Sequence, residues 1–182
     1  MLFPNRNTER LFLRRICPLD RYFVLSEFSD PDVNQYLYDA EPVATLQEAD
    51  ELINFYTNQT EEKWNRWVII RKEDNAKLGT IGLHCWQKKA GIVEVGYDMQ
   101  KPYWGKGYAF EALQETIRFV REAMPVSEIR ACIALTNQRS INLALRCGFR
   151  DSGETKTYHF HGADYPHAYY SLKLDEESIE SK

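Results

Sequence analysis

Apolar and polar residues alternate with a period of two along much of the chain, which is typical of half-buried β-strands. This pattern predicts seven strands, over residues 10–15, 64–71, 77–86, 92–99, 128–134, 150–160 and 167–174. Turn-forming residues at 73–75 and 88–91 separate three of these segments. Short connections between consecutive strands favour antiparallel pairing, so residues 64–99 are predicted to form a meander.

Other segments follow the helical period of 3.6 residues. Thr45 and Glu48 have the spacing of a capping box, and apolar residues recur at helical intervals behind them. A second helix is predicted after Gly107, ending near Pro125. Its apolar face holds Ala109, Ala112, Leu113, Thr116, Ile117 and Val120, and its predicted outer face holds Glu111, Glu115, Arg118 and Glu122. A short helix is predicted over 140–147, with Ser140 as its N-cap and Gly148 as its stop.

Length and composition fit one mixed α/β domain. The chain has 182 residues, of which 43% are hydrophobic and 27% charged. No apolar run approaches the ~20 residues that a membrane span needs, and no signal peptide is visible, so a cytoplasmic protein is expected. The net charge of −4 argues against a nucleic-acid partner. Residues 175–182 carry four carboxylates against one lysine and are predicted to be an acidic, solvated tail.

The cysteines and histidines show no metal-binding spacing. Cys17, Cys85, Cys132 and Cys147 are far apart and mostly lie in apolar segments, so they are interpreted as reduced core residues. A third ligand is missing beside His159 and His161, which share one face of a predicted strand. No metal is expected.

A glycine-bearing loop joins the fourth predicted strand to the second helix. Gly105 and Gly107 let the backbone approach a ligand, and the first free N–H groups of the helix, near Gly107, Tyr108 and Ala109, favour phosphate. This arrangement predicts a pyrophosphate ligand, although two glycines before a helix are also typical of a plain tight turn.

Two better-known phosphate motifs do not fit this loop. A nucleotide-triphosphate loop requires Ser or Thr after its lysine, but Lys106 is followed by Gly107. A dinucleotide fingerprint requires a third glycine, where this chain has Phe110.

The segment WGKGYA, residues 104–109, resembles the pyrophosphate loop of the GNAT superfamily of N-acetyltransferases, with Trp104 in place of the usual Gln or Arg. TERLFLRRI, GIVEVGYDM and TNQRSINLALRCGF are similar to further motifs of its RimJ/RimL-like branch, the ribosomal-protein N-terminal acetyltransferases. The resemblance covers residues 8–174. It implies a single domain with a seven-stranded, mostly antiparallel, splayed sheet flanked by helices.

The resemblance also implies an activity. The expected reaction transfers the acetyl group of acetyl-CoA to a primary amine, most simply the N-terminal α-amine of a protein or peptide, by direct attack. The alternatives are a small-molecule acetyltransferase, acting on a polyamine, aminoglycoside or amino-acid analogue, and a non-catalytic acyl-CoA-binding protein. A monomer or a homodimer is expected. Residues 18–60 would select the acceptor, with Tyr36, Tyr38, Trp86, Tyr103 and Tyr158 as candidate pocket aromatics.

Specific residues follow from the matched motifs. The implied cofactor contacts are Tyr97, Asp98, Met99, Trp104, Gly105, Lys106, Gly107, Tyr108, Ala109, Asn137 and Ser140. Glu94 corresponds to an acid that takes the amine proton through water, with Asp98 as the other candidate base. A backbone N–H near Tyr97 to Met99 would stabilise the oxyanion. The tyrosine that protonates the leaving thiolate in many family members is Ala144 here, so Ser140 is expected to assist instead.

Overall fold

The computed structural model describes residues 3–58 and 64–174. The strands are β1 (Arg6–Asn7), β2 (Leu11–Arg15), β3 (Trp67–Arg71), β4 (Lys77–Gln87), β5 (Ile92–Met99), β6 (Glu128–Ala134), β7 (Arg150–Phe160) and β8 (Ala163–Lys173). The helices are α1 (Arg21–Ser29), α2 (Pro31–Asn34), α3 (Leu46–Thr57), α4 (Tyr108–Ala123) and α5 (Gln138–Arg146). The predicted acidic tail, 175–182, lies outside the described residues.

The strands form one open sheet in the order β1-β2-β3-β4-β5-β6-β8-β7. It has eight strands rather than the predicted seven, because β1 has two residues and is too short to show an alternating pattern. β1 pairs with β2 through Arg6 and Leu13. The meander β3-β4-β5 is antiparallel, as predicted.

The sheet splits in the middle. β5 and β6 are parallel and pair over only three positions, and the last pair joins Glu94 to Arg130. Beyond this pair β6 continues alongside β8, while β5 continues alongside β4. The two strands therefore diverge after Glu94 and leave an open cleft between Val95–Met99 and the end of β6.

Helices cover both faces of the sheet. Trp67 and Ile69 of β3 belong to the main core, which includes the apolar face of α4. Val68, which points the opposite way because side chains alternate along a strand, packs against α1 and α3 in a second core. The capping box of α3 is present, with Thr45 accepting from the Glu48 N–H and Glu48 accepting from the Thr45 N–H.

Two local predictions about helices are wrong. The helical period predicts Glu115 on the outer face of α4, but this residue is buried because Arg6 of β1 lies over it and donates to its carboxylate at 2.6 Å. Ser140 is not an N-cap: α5 begins two residues earlier, and the side chain of Asn137 accepts from the Ser140 N–H at 3.1 Å. Asn and Ser both cap well, so sequence alone left the choice open.

The cysteines are also less buried than predicted. Cys147 is buried, whereas Cys17, Cys85 and Cys132 are half-buried. All four are free thiols. The core interpretation therefore holds for Cys147 alone.

Candidate active site

The loop between β5 and α4 leads into a helix N-terminus, an arrangement that suits an anionic ligand. Gly105 and Gly107 have φ angles of +73° and +80°, which side chains rarely tolerate. Gly107 is the N-cap of α4, and its carbonyl accepts the Glu111 N–H as the first helical hydrogen bond. The preceding N–H groups, from Tyr108 to Phe110, have no carbonyl one turn back and face the loop. A Cβ on Gly105 would meet no atom within 4 Å, so this side of the loop is open.

Trp104 anchors the loop and orients an arginine. Its indole N–H donates to the carbonyl of Met99 at 2.6 Å, which ties the loop to the end of β5. Its ring supports the guanidinium of Arg139, 3.9 Å from the ring centroid. Arg146, two turns further along α5, lies over Phe110 at 4.9 Å. Two cations thus stand beside the phosphate loop.

Sequence reasoning missed these two arginines. A signal for them was available, because Arg139 and Arg146 are seven residues apart and so lie on one face of a helix. Nothing in the sequence showed that this face is next to the loop.

A cavity of about 690 Å³ extends from the phosphate loop through the cleft between β5 and β6. Most of the predicted site residues line it, namely Glu94, Tyr97, Asp98, Met99, Trp104, Gly105, Gly107, Tyr108, Ala109, Asn137 and Ser140. Lys106 is not among the lining residues: its carbonyl accepts from Arg10, and its ammonium lies over the Tyr103 ring.

Glu94 and Asp98 share one face of β5 but differ in their surroundings. The Asp98 carboxylate accepts from the N–H and the hydroxyl of Thr80, at 2.8 and 2.6 Å, and lies 3.3 Å from Arg66. Its side chain is only 4% exposed. Glu94 is more accessible, at 15%, and its neighbour is His84, with Nε2 3.6 Å from Oε2 of Glu94. The Asp98 carboxylate is thus occupied by contacts inside the protein, whereas Glu94 is more exposed and lines the cavity.

Two hydroxyl groups meet on the other side of the cleft. The phenol of Tyr97 and the hydroxyl of Ser140 are 2.9 Å apart, and either can donate. Burial raises the pKa of Tyr97 to about 12, although the hydrogen bond with Ser140 opposes the rise. The pair therefore keeps its protons at neutral pH. The sequence singled out Tyr97 for its backbone, and gave no signal that its phenol reaches Ser140.

An aromatic cluster, here called the roof, is formed by Tyr38, Phe160 and Tyr165, and Tyr38 is its member that lines the cavity. Tyr38 stacks on Tyr165 with ring centroids 3.7 Å apart and lies 6.2 Å from Phe160. Next to the roof, His161 lies 2.8 Å from the Glu41 carboxylate. The chain segment after α2 is thereby fastened to the β7–β8 hairpin.

Other residues singled out from the sequence have varied positions. Tyr36, Tyr38, Tyr103 and Tyr158 line the cavity as predicted, whereas Trp86 packs in the main core. His159 is exposed and pairs with Asp164 at 2.9 Å.

Comparisons with known proteins identify the family. The profile of the Acetyltransferase (GNAT) domain matches residues 10–150. The N-acetyltransferase YoaA of Bacillus subtilis is 30% identical over 173 residues, covering 94% of this chain and 97% of YoaA. The chain therefore belongs to the GNAT acetyltransferase family and is an acyltransferase.

Solved structures show the same fold at low identity. Spermidine N-acetyltransferase from Vibrio cholerae, in complex with CoA and spermine, superposes with a TM-score of 0.80 and 18% identity, covering 91% of this chain and 96% of that one. RimL, a ribosomal L7/L12 α-N-protein acetyltransferase in complex with coenzyme A, superposes with a TM-score of 0.81 and 14% identity, covering 92% and 96%. Within the described residues, no helix combines the length and the apolar character needed to cross a membrane.

Proposed function

We propose that the chain transfers the acetyl group of acetyl-CoA to a primary amine, with Glu94 as general base. The observation that carries this proposal is the cleft itself, which has a phosphate cradle at one end and, where β5 and β6 separate, the partly exposed carboxylate of Glu94. The cradle suits a pyrophosphate, because free helical N–H groups and the cations of Arg139 and Arg146 surround an open backbone. Coenzyme A would supply an activated thioester there.

Different residues around the cleft accept the amine proton and donate a proton to the leaving thiolate. Glu94 accepts the amine proton, directly or through one water. Beyond Glu94, β5 has no β6 partner, so backbone N–H groups at this edge are available to stabilise developing negative charge. The Tyr97–Ser140 pair donates a proton or a hydrogen bond to the leaving thiolate. Asp98 acts structurally through Thr80 rather than as a base.

Protein or peptide N-terminal α-amines are the proposed acceptors. At pH 7, deprotonating an α-amine with a pKa near 8 costs about 1 kcal/mol, whereas a lysine-like amine near 10.4 costs about 4 to 5 kcal/mol. A carboxylate is a weak base and suits the smaller cost. RimL, which shares the fold, acts on such an amine.

A small cationic amine is the second candidate. Asp39, Glu41 and Glu94 line the cavity, and three carboxylates favour a polycation. The spermidine enzyme shares this fold as well.

Release of free CoA from acetyl-CoA tests the proposal. Peptides with free N-termini should stimulate release, whereas the same peptides with blocked N-termini should not. Glu94→Gln should lower kcat by at least about 100-fold, with unchanged affinity for acetyl-CoA, because only the proton acceptor is removed. Glu51→Gln, an exposed change on α3, is the matched control. Undiminished turnover in Glu94→Gln would refute the role of Glu94.

A substitution in the aromatic roof distinguishes peptide α-amines from small cationic amines as acceptors. Tyr38→Ala removes the stack on Tyr165, and Tyr22→Ala, at an exposed position on α1, is its control. For an α-amine of a peptide, Tyr38→Ala should leave kcat/KM unchanged or raise it. For spermidine, it should lower kcat/KM because an aromatic wall of the cavity is lost. Turnover of spermidine but of no peptide would establish the second candidate and exclude the first.

A further inference from the structure

A bulge in β4 brings an unusual set of side chains together beside the cleft. His84 pairs with Glu94 and Gln87 pairs with Ile92, so Cys85 and Trp86 both stand opposite Val93. Cys85 has a φ angle of +49°, a left-handed conformation that is rare outside glycine and often marks a functional position. Trp86 takes the place in the main core next to Val93. The extra residue directs the Cys85 thiol to the face that carries His84 and Glu94.

The three side chains offer one nitrogen, one sulfur and one oxygen to a common point. Their donor atoms all lie within 4.8 Å of one another, and each side chain is half-buried. His84 Nε2 and Glu94 Oε2 are 3.6 Å apart. Zinc is bound by these three donor types at about 2.0 to 2.3 Å, which places the ligands of a tetrahedral site roughly 3.3 to 3.8 Å from each other. A small closure of the side chains therefore completes the site.

Two neighbours restrict the orientation of the His84 imidazole. Trp64 stacks on His84 with an interplanar angle of 8° and ring centroids 5.8 Å apart. On the neighbouring strand, a Cβ at Gly96 would lie 3.0 Å from Cε1 of His84, so glycine makes room for the ring. Metal ligands with restricted rotamers lose little freedom on binding.

We propose that His84, Cys85 and Glu94 form an inhibitory zinc site whose fourth position faces the cavity. Zinc displaces the thiol proton of Cys85 and occupies the carboxylate of Glu94. The bound metal thus blocks the end of the cleft where an acceptor would lie. The binding site rests on the three side chains alone and stands whether or not the chain acetylates amines.

Direct binding measurements test this site without any turnover. In competition with a chromophoric chelator, the wild-type protein should bind one equivalent of zinc. Cobalt in place of zinc should give a near-ultraviolet thiolate-to-metal charge-transfer band. Cys85→Ser should abolish that band and weaken zinc binding more than about 100-fold, since even loss of an outer-shell partner costs 10- to 100-fold. Cys17→Ser, which removes another half-buried thiol, should keep both properties.

The activity of the wild-type protein gives a second readout. Zinc should inhibit its acetyl transfer, and a chelator should restore it, whereas Cys85→Ser should be insensitive to zinc at the same concentrations. Zinc binding of Cys85→Ser equal to that of the wild type, or a cobalt complex without a thiolate band, would overturn the site. Absence of acetyl transfer to any amine would overturn the proposed function and leave the metal-binding result intact.

Discussion

Replacing Glu27 with glutamine is predicted to stabilise the protein at neutral pH. Glu27 lies on α1, is completely buried, and has the side chains of Asp98 and Gln100 as neighbours. Burial raises the pKa of Glu27 to about 10, and the negative charge of Asp98 adds to the rise. The side chain is therefore protonated in the folded protein at pH 7. Glutamine has nearly the same shape as the protonated acid and needs no proton.

The size of the effect follows from proton linkage. The ordinary pKa of the side chain is 4.5, so the folded state holds one proton more than the unfolded state between pH 4.5 and about 10. In this window the free energy of unfolding of the wild type falls by about 1.4 kcal/mol per pH unit because of Glu27. At pH 7 the accumulated cost is about 3 kcal/mol, an upper estimate of the gain in Glu27→Gln.

Urea unfolding at several pH values between 5 and 8 measures this gain. Titrations of groups away from this site are common to both proteins, so the difference in free energy of unfolding reports on Glu27 and its neighbour Asp98. That difference should be small near pH 5 and grow steadily with pH. Glu51→Gln, an exposed carboxyl on α3, should show no such trend. A Glu27→Gln protein that is less stable than the wild type at pH 8, or a difference that does not grow with pH, would show that Glu27 is ionised in the fold.

Three further changes address other parts of the fold through the free energy of unfolding. Asn137→Ala removes the acceptor of the Ser140 N–H and should cost about 1 kcal/mol in urea unfolding, whereas no loss would mean that α5 is capped otherwise. Burial opposes ionisation of Glu128, but hydrogen bonds from β6 and β8 outweigh it and lower its pKa to about 2. The stabilisation by Glu128 is therefore present above pH 4.5 and lost as the pH falls towards 2. Glu128→Gln should lower the free energy of unfolding by about 2 kcal/mol at pH 7 and flatten its dependence on pH below 4.5. Gly82→Ala would place a Cβ 2.2 Å from the Asn65 carbonyl and should cost about 3 kcal/mol or more in thermal unfolding; a wild-type Tm would contradict that contact.

The sequence predicted best those elements whose signal is local. β5, β6 and β7 begin and end at the predicted residues, and along β5 buried and less buried positions alternate as the pattern indicates. The capping box of α3 needs only two residues three positions apart. The positive φ angles of Gly105 and Gly107 likewise depend on the glycines themselves. Local chemistry suffices in each case.

Predictions failed where a distant part of the chain decides the outcome. Glu115 occupies a polar position on α4, yet it is buried because Arg6, 109 residues away, lies against it. Cys85 reaches the face of Glu94 through a bulge, and an alternating pattern assigns it to the opposite face. The pairing partner creates these environments. The sequence pattern of one helix or strand carries no information about its pairing partner.

The missing acid of the motif shows how tertiary structure replaces a lost residue. The family resemblance implies a tyrosine at the position of Ala144, and its absence leaves Ser140 as the residue of the motif expected to assist the thiolate. Tyr97 instead brings a phenol to Ser140 from β5, 43 residues away, and keeps its proton because burial raises its pKa. Under the proposed function, the proton donor is thus supplied from a different element. Proton donation to a leaving group depends on where the donor lies in space and not on its position in the sequence, so the proposed role is open to the Tyr97–Ser140 pair.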